Sequence, residues 1–249
     1  MMELHSRQDS NPIGIYGKIP SQGDFINQNL PRVFLDTWDH WLQQAILASQ
    51  EVLGDSWLEY FLISPVWRFV LPKGLIGQGS WAGIMLPSVD SVGRYYPLTL
   101  VAPVPEHVGA FEYLTNADKW FQSLEDVAIT TLEKGFNVAE LVQALDQNEF
   151  ELAFPTEQVL PLKAERQLQH VLPLNSTDQA LTNVMPLLCD GLLKSQDSGF
   201  SLWWTKGGEH VEPALLFSEQ LPRPTSYTAM LNGQWNNWHW PNLLQFVGG

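Results

Sequence analysis

Length, composition and charge exclude several classes of protein. The chain has 249 residues, of which 45% are hydrophobic, and its 13 basic and 27 acidic residues give a net charge of −14. The apolar fraction excludes an intrinsically disordered chain. The acidic balance argues against binding to nucleic acid or to an anionic membrane surface, because both attract Lys and Arg.

The sequence also predicts a protein that stays in the cytoplasm. It contains no run of 18 consecutive apolar residues, so we expect no transmembrane helix and no membrane insertion. Residues 1–12 are polar, which predicts a flexible N-terminal tail and not a secretory signal. Cys189 is the only cysteine, so an intramolecular disulfide is impossible.

The first predicted elements are a strand, a polar loop and a long helix. The apolar run 13–20 indicates a strand, and the polar segment 21–30 indicates a loop. Pro31 suits the first helical position, where its missing N–H is not needed. Apolar residues then recur at three- and four-residue spacing to about Leu53, and Gly54 suits the C-cap of this amphipathic helix.

A sheet region follows. A short helix is predicted over 55–62. The runs 65–72, 80–86 and 95–105 are short, rich in aromatic and β-branched residues, and separated by turns that contain Gly and Pro. This pattern predicts three consecutive strands in an antiparallel meander.

The second half mixes helices and strands. Four helices are predicted: one over 111–133, a short one capped by Asn137, one over 178–193 with a kink at Pro186, and one over 225–231. Two strands are predicted, over 199–206 and 213–218. Residues 150–176 have weak periodicity and receive no assignment. The expected fold is α/β: a single domain over 13–249, with a central mainly antiparallel or mixed sheet flanked by helices on both sides.

Common enzyme and metal signatures are missing. The Gly17-Lys18 pair lacks the glycine spacing and the Ser or Thr of a phosphate-binding loop. The glycine-rich segment 74–80 lies between two predicted strands and is expected to be a tight turn. The six histidines do not pair at metal-ligand spacing with each other or with Cys189. We therefore expect no catalytic residue, no metal and no cofactor.

The 11 tryptophans are unusual. Trp38 and Trp41 lie on the apolar face of the first helix and are expected in the core. Trp203 and Trp204 are consecutive in a strand and must point to opposite faces. The C-terminal tryptophans either pack against the sheet or form a binding surface, and they are Trp235, Trp238 and Trp240.

Two polar clusters attract attention in a chain with few basic residues. Lys18 and Asp24 lie in the loop after the first strand, and Asp90 and Arg94 lie in a turn between two strands. One interpretation is an ion pair that pins the two loops, formed by Arg94 with Asp24 or Asp90. The others are a surface for a protein partner and a small hydrolase or phosphate-handling site, whose four side chains would have to converge on one pocket.

These two stretches carry a family resemblance. Residues 17–25 fit the motif Gly-Lys-x-Pro-x-x-Gly-Asp-Phe, and residues 87–97 fit Pro-Ser-x-Asp-x-Val-Gly-Arg-x-Tyr-Pro. With the strand pattern between them, residues 13–105 resemble the type VI secretion-associated TagF/ImpM family. The resemblance implies a single α/β domain and a cytoplasmic accessory protein of a contact-dependent secretion machine in a Gram-negative bacterium.

The resemblance also implies a role. Members of the family are understood as post-translational negative regulators that bind the system's forkhead-associated scaffold protein, and they bring no catalytic residues with them. The alternatives are the small enzyme centred on Asp24, Asp90 and Arg94, and a structural subunit of the secretion apparatus. The motif residues are either a partner-binding surface or a structural signature, and the candidates are Lys18, Asp24, Phe25, Ser88, Asp90, Arg94 and Tyr96.

Overall fold

The computed structural model of the chain describes four stretches, residues 13–105, 108–147, 181–194 and 199–242. The predicted tail at 1–12 and the unassigned stretch 150–176 lie outside the described residues.

Within these stretches, seven strands form one antiparallel sheet in the order β2-β1-β5-β4-β3-β6-β7. Their bounds are β1 Gly14–Gly17, β2 Ile26–Gln28, β3 Trp67–Leu71, β4 Ser80–Leu86, β5 Leu98–Val104, β6 Phe200–Thr205 and β7 Ala214–Glu219. The predicted meander is β3–β4–β5, and the glycine-rich segment 74–80 contains the turn between β3 and β4. The prediction missed β2, which pairs with β1 inside the supposed loop. Three residues, of which only the first is buried, are too short for an alternating pattern.

Helices lie on both faces of the sheet. Their bounds are α1 Arg32–Leu53, α2 Trp57–Leu62, α3 Ala110–Asn116, α4 Asp118–Lys134, α5 Val138–Gln147, α6 Leu181–Lys194 and α7 Tyr227–Asn232. Gly54 is the C-cap of α1, as predicted. Pro31 is the N-cap and not the first helical residue, because its ψ of 150° is extended.

The helix predicted over 111–133 is two helices. Ala117 leaves the helical conformation at φ −101° and ψ 17°, and α4 begins at the next residue. The apolar spacing runs through this break, so the pattern alone could not reveal it. The cap predicted at Asn137 is confirmed, since its Oδ1 accepts the N–H of Glu140 and Glu140 accepts the N–H of Asn137 in return.

The later elements follow the prediction closely. Helix α6 contains Pro186, and the residues before Leu181 where it was expected to start lie outside the described part of the chain. A 3-10 turn at Pro224–Ser226 leads into α7 where one helix was predicted. Both later strands join the same sheet.

The two faces of the sheet have different cores. We call one the aromatic face, because Trp38, Trp41, Trp67 and Trp203 are buried there, between the sheet and the helices α1, α2 and α7. The other is the aliphatic face, covered by α3, α4 and α5. The predicted burial of Trp38 and Trp41 is thus confirmed, and Trp204 packs on the face opposite to Trp203.

The C-terminal tryptophans include packing residues. The ring of Trp235 meets Trp67 edge to face at 6.1 Å between centroids. The indole N–H of Trp240 donates to the carbonyl of Ser226 at 2.9 Å. Both partly buried rings lie against the aromatic face, which favours the packing interpretation for these two. Among the described helices, none combines the length and the apolar character that crossing a bilayer requires.

Candidate functional site

The sheet order brings the two sequence motifs together. Strands β1 and β5 are neighbours although three other strands separate them in sequence, so the loop after β1 lies beside the turn before β5. Gly17 allows this close approach. It has a φ of +127°, and a Cβ atom there would lie 2.0 Å from the carbonyl oxygen of Pro97. Only glycine accepts both conditions.

A buried carboxylate joins the motifs. Asp90 Oδ2 accepts from Lys18 Nζ at 2.6 Å and from Arg94 Nε at 2.7 Å. Asp90 Oδ1 accepts the backbone N–H groups of Val92 at 3.1 Å and Arg94 at 2.8 Å. Lys18 is 4% exposed and Asp90 is 3% exposed. The carboxylate therefore has about four acceptor positions, and all four are occupied.

The electrostatics of Asp90 follow from these contacts. Burial by itself raises the pKa of a carboxyl group, but the hydrogen bonds from Lys18 and from Arg94 outweigh it and hold the pKa of Asp90 well below its usual range. The side chain is ionised near neutral pH and has no free acceptor position. It is therefore unsuited to act as a general base, which must receive a proton from a substrate.

Further hydrogen bonds pin the two loops to each other. The Arg94 guanidinium donates to the carbonyl of Gly23, and the N–H of Ser91 donates to the carbonyl of Gln22 at 2.9 Å. Ser88 Oγ donates to the carbonyl of Lys18 at 2.7 Å. An ion pair does join the two loops, but it is formed by Lys18 with Asp90. Arg94 also pairs with Asp90 and not with Asp24, within its own turn.

An exposed aromatic ring lies on this pinned structure. Phe25 is 48% exposed, and its ring lies 4.8 Å from that of Tyr96 and 5.9 Å from that of Tyr16. Lys18 Nζ lies 4.9 Å from the centre of the Phe25 ring. The Tyr16 and Tyr96 hydroxyls both donate to Asp39 Oδ1 on α1. Phe25 is therefore solvent-exposed and yet supported from three sides.

The seven candidate residues divide by exposure. Asp24, Phe25 and Arg94 reach the surface, and the side chain of Arg94 is 59% exposed. We call these three the surface triplet. The buried candidates support it, and they are Lys18, Ser88, Asp90 and Tyr96.

The four side chains of the enzyme alternative do not share a ligand position. Lys18, Asp90 and Arg94 come together, but they satisfy one another. Within the described stretches, the Asp24 side chain forms no hydrogen bond or ion pair, with this cluster or elsewhere. No group of three or more His, Cys, Asp or Glu side chains there could hold a metal ion.

Sequence reasoning missed Asp39 and a second buried cluster. Arg68 in β3 is 2% exposed, and its guanidinium donates to Glu125 Oε1 at 2.5 Å and to Asp118 Oδ1 at 2.6 Å. A signal was present, since Arg68 is the single charge of an apolar strand and Glu125 lies on the apolar side of a helix. A cation and a carboxylate in such positions need each other.

Comparisons with known proteins agree with the motifs. A family model described as the TagF N-terminal domain, type VI secretion system-associated, matches residues 14–148. The crystal structure of PA0076 from Pseudomonas aeruginosa PAO1, at 2.05 Å resolution, is similar over 95% of this chain and 99% of that chain, with 30% identity and a TM-score of 0.75. A search of curated proteins gives no match. The family resemblance is confirmed, and so is the fold class.

Proposed function

This chain belongs to the family of TagF N-terminal domains, which is associated with type VI secretion, and from this membership we propose that it is a non-enzymatic, cytoplasmic negative regulator of that system. It acts after translation by binding and sequestering the forkhead-associated scaffold protein of the secretion apparatus. The surface triplet of Asp24, Phe25 and Arg94 forms part of the contact.

One observation carries the proposal. The exposed Phe25 ring is held by two tyrosine rings and a buried ammonium group. A large apolar side chain that is immobilised before binding loses little conformational entropy in a complex. Aromatic and Arg side chains are also enriched among the residues that dominate binding energy at protein interfaces.

The buried charges favour binding over turnover. Asp90 uses its acceptor positions on Lys18, Arg94 and two backbone N–H groups. General acid–base chemistry needs a group that can exchange a proton with a substrate. A satisfied carboxylate instead fixes the geometry of the loop that presents Phe25.

The first test is a native pull-down of the tagged chain from its own bacterium, read by mass spectrometry. Wild type is compared with Phe25→Ala and with the matched control Leu47→Ala, which removes an equally exposed apolar side chain (51%) from α1. We expect the forkhead-associated scaffold with wild type and with the control, and at least a tenfold loss with Phe25→Ala.

Other outcomes contradict parts of the proposal. If Phe25→Ala recovers as much scaffold protein as wild type, the surface triplet is not part of the contact, although sequestration itself would still stand. Recovery of the chain within the assembled secretion particle would favour a structural subunit, because a sequestering regulator is absent from that particle. Recovery of no secretion protein at all would overturn the proposed partner.

A further inference from the structure

One edge of the sheet exposes apolar side chains. Strand β7 is the last in the sheet order, and in the described part of the chain it pairs with β6 alone. Its residues Leu215 and Phe217 are 54% and 43% exposed. They lie opposite Trp204 and Leu202 of β6, on the aliphatic face.

The two edges of the sheet are built differently. Strand β2, at the other edge, has three residues, and its exposed ones are Asn27 and Gln28. Short polar edges resist pairing with another chain. Strand β7 has six residues, contains neither Pro nor Lys, and carries one charge at its last position, Glu219. A longer apolar edge of this kind is suited to pair with a further strand.

The alternation of hydrogen bonds between β6 and β7 shows which backbone groups of β7 point away from β6. Just beyond β7, the N–H of Gln220 donates to the carbonyl of Gly199, which is the next pair of the β6–β7 register. Hydrogen-bonded pairs alternate along an antiparallel ladder. Ala214, Leu216 and Ser218 therefore bond towards β6, and the backbone groups of Leu215 and Phe217 point to the outer edge.

We propose that β7 pairs with β7 of a second copy of this chain. The pairing is antiparallel about a two-fold axis that passes through Leu216, perpendicular to the sheet. Leu215 then lies opposite Phe217 of the second copy, and Leu216 lies opposite itself. Because the axis keeps each face on its own side, Leu215 and Phe217 meet on the aliphatic face, where directly opposite side chains make contact.

The same register satisfies the backbone. Leu215 and Phe217 carry the outward N–H and C=O groups, and the two-fold axis pairs these two residues twice. Each such pair exchanges two hydrogen bonds. Two copies thus form one continuous sheet, and an isologous contact of this kind closes without leading to a fibre.

Charge allows the contact but limits its strength. The single charge of the strand, Glu219, lies opposite Pro213 of the second copy, so that no like charges face each other. The net charge of −14 on each copy nevertheless opposes association, and added salt screens that repulsion. A strand of six residues offers less than the roughly 800 Å² per partner of a standard interface, so we expect a weak dimer with a dissociation constant of roughly 1–100 μM.

Sedimentation of the full chain tests the pairing. We expect a mass that rises from one chain of 28.2 kDa towards two between about 1 and 300 μM, given the expected affinity. The rise should occur at lower protein concentration in 0.5 M NaCl than in 0.05 M NaCl. Phe217→Lys should weaken association at least tenfold, and the matched control Leu47→Lys, on an exposed position of α1, should not.

A disulfide trap tests the register without removing the apolar side chains. With Cys189 replaced by Ser, Ala214→Cys together with Ser218→Cys places two cysteines at opposed, non-hydrogen-bonded positions, about 4.5 Å apart between Cα atoms. We expect a covalent dimer in non-reducing gels, and none with Ala214→Cys alone. If the chain stays a monomer at all these concentrations and the cysteine pair forms no covalent dimer, the proposal is wrong. This edge would then be free to pair with a strand of another protein.

Discussion

Two buried cation clusters use the same chemistry for different ends. In one, Lys18 pairs with Asp90 and lies 4.9 Å from the centre of the Phe25 ring; in the other, Arg68 pairs with Glu125 and lies 5.3 Å from the centre of the Phe121 ring. Phe121 is fully buried, whereas Phe25 is 48% exposed.

The two clusters differ in where their aromatic ring lies. The Arg68 cluster ties β3 to α4 inside the core, and its aromatic ring belongs to that core. The Lys18 cluster ties two loops together, and its aromatic ring faces solvent. The proposed binding surface rests on this difference, because the Phe25 ring lies outside the core and is contacted by Tyr16, Tyr96 and Lys18. The variants below test that separation.

The largest expected loss in the free energy of unfolding comes from breaking the Arg68 cluster in the core. Arg68→Leu leaves the carboxylate of Glu125, which is 8% exposed, without its cation. Breaking a buried pair from one side costs about 3–5 kcal/mol in the free energy of unfolding. Urea unfolding measures this loss. The double variant Arg68→Leu with Glu125→Leu should recover most of it, and a double variant as unstable as the single one would contradict the account.

The next largest effect is a loss of stability at alkaline pH, caused by the buried tyrosines Tyr16 and Tyr96. Burial, and then the nearby Asp39 carboxylate, raise the pKa of Tyr16, and burial likewise raises that of Tyr96 above its ordinary value. The unfolded chain ionises these phenols near pH 10. Their contribution to stability is therefore complete below pH 10 and declines as pH rises further.

Tyrosinate absorbance at 295 nm measures this behaviour. We expect the signal of these two phenols to appear together with unfolding and not before it. Tyr16→Phe, which keeps the ring beside Phe25, should remove one late phenol, and Tyr96 should still ionise late because burial is the first cause of its raised pKa. If Tyr16→Phe instead removed a phenol that ionises near pH 10 in the folded chain, the burial described for Tyr16 would be contradicted.

A smaller effect is expected in acid. Because the pKa of Asp90 is lower in the folded chain than in the unfolded one, its contribution is present above the ordinary carboxyl pKa of about 3.9 and is lost as pH falls below it. Lys18→Met should make the fall in stability between pH 5 and pH 3 less steep. Arg32→Met, in a largely exposed pair with Asp36, is the control and should leave the slope unchanged.

The smallest effect on stability is expected at the surface ring. Phe25→Ala removes a half-exposed side chain that the core does not need, so the free energy of unfolding should change by about 1 kcal/mol or less. Phe121→Ala should cost about 3–5 kcal/mol in the same urea experiment, by the usual range for a buried ring. Equal losses at the two positions would contradict the separation of the clusters.

Sequence patterns predicted most elements but fewer contacts. The spacing of Trp38 and Trp41 fixed a helix face, and the meander followed from local runs and turns. The break at Ala117 was invisible because apolar spacing continues across it. Strand β2 was missed because three residues are too few to alternate.

The site shows the same limit. The motifs marked Lys18 and Asp90, but their pairing depends on β1 lying beside β5, which are distant in sequence. The sequence pattern does not distinguish Asp39, because a polar residue on an amphipathic helix is ordinarily solvated. Only the assembled sheet reveals that two tyrosines bind it, and that Phe25 alone among these rings is half exposed.

The most direct test of the central claim is secretion by the bacterium that encodes the chain. The gene is deleted and then complemented with wild type, Phe25→Ala or Leu47→Ala, at equal protein levels, and the system's own secreted proteins are quantified in the medium. We predict that deletion raises type VI secretion, that wild type and Leu47→Ala restore the low level, and that Phe25→Ala does not. Full restoration by Phe25→Ala would contradict the role of the surface triplet, and unchanged secretion after deletion would contradict negative regulation.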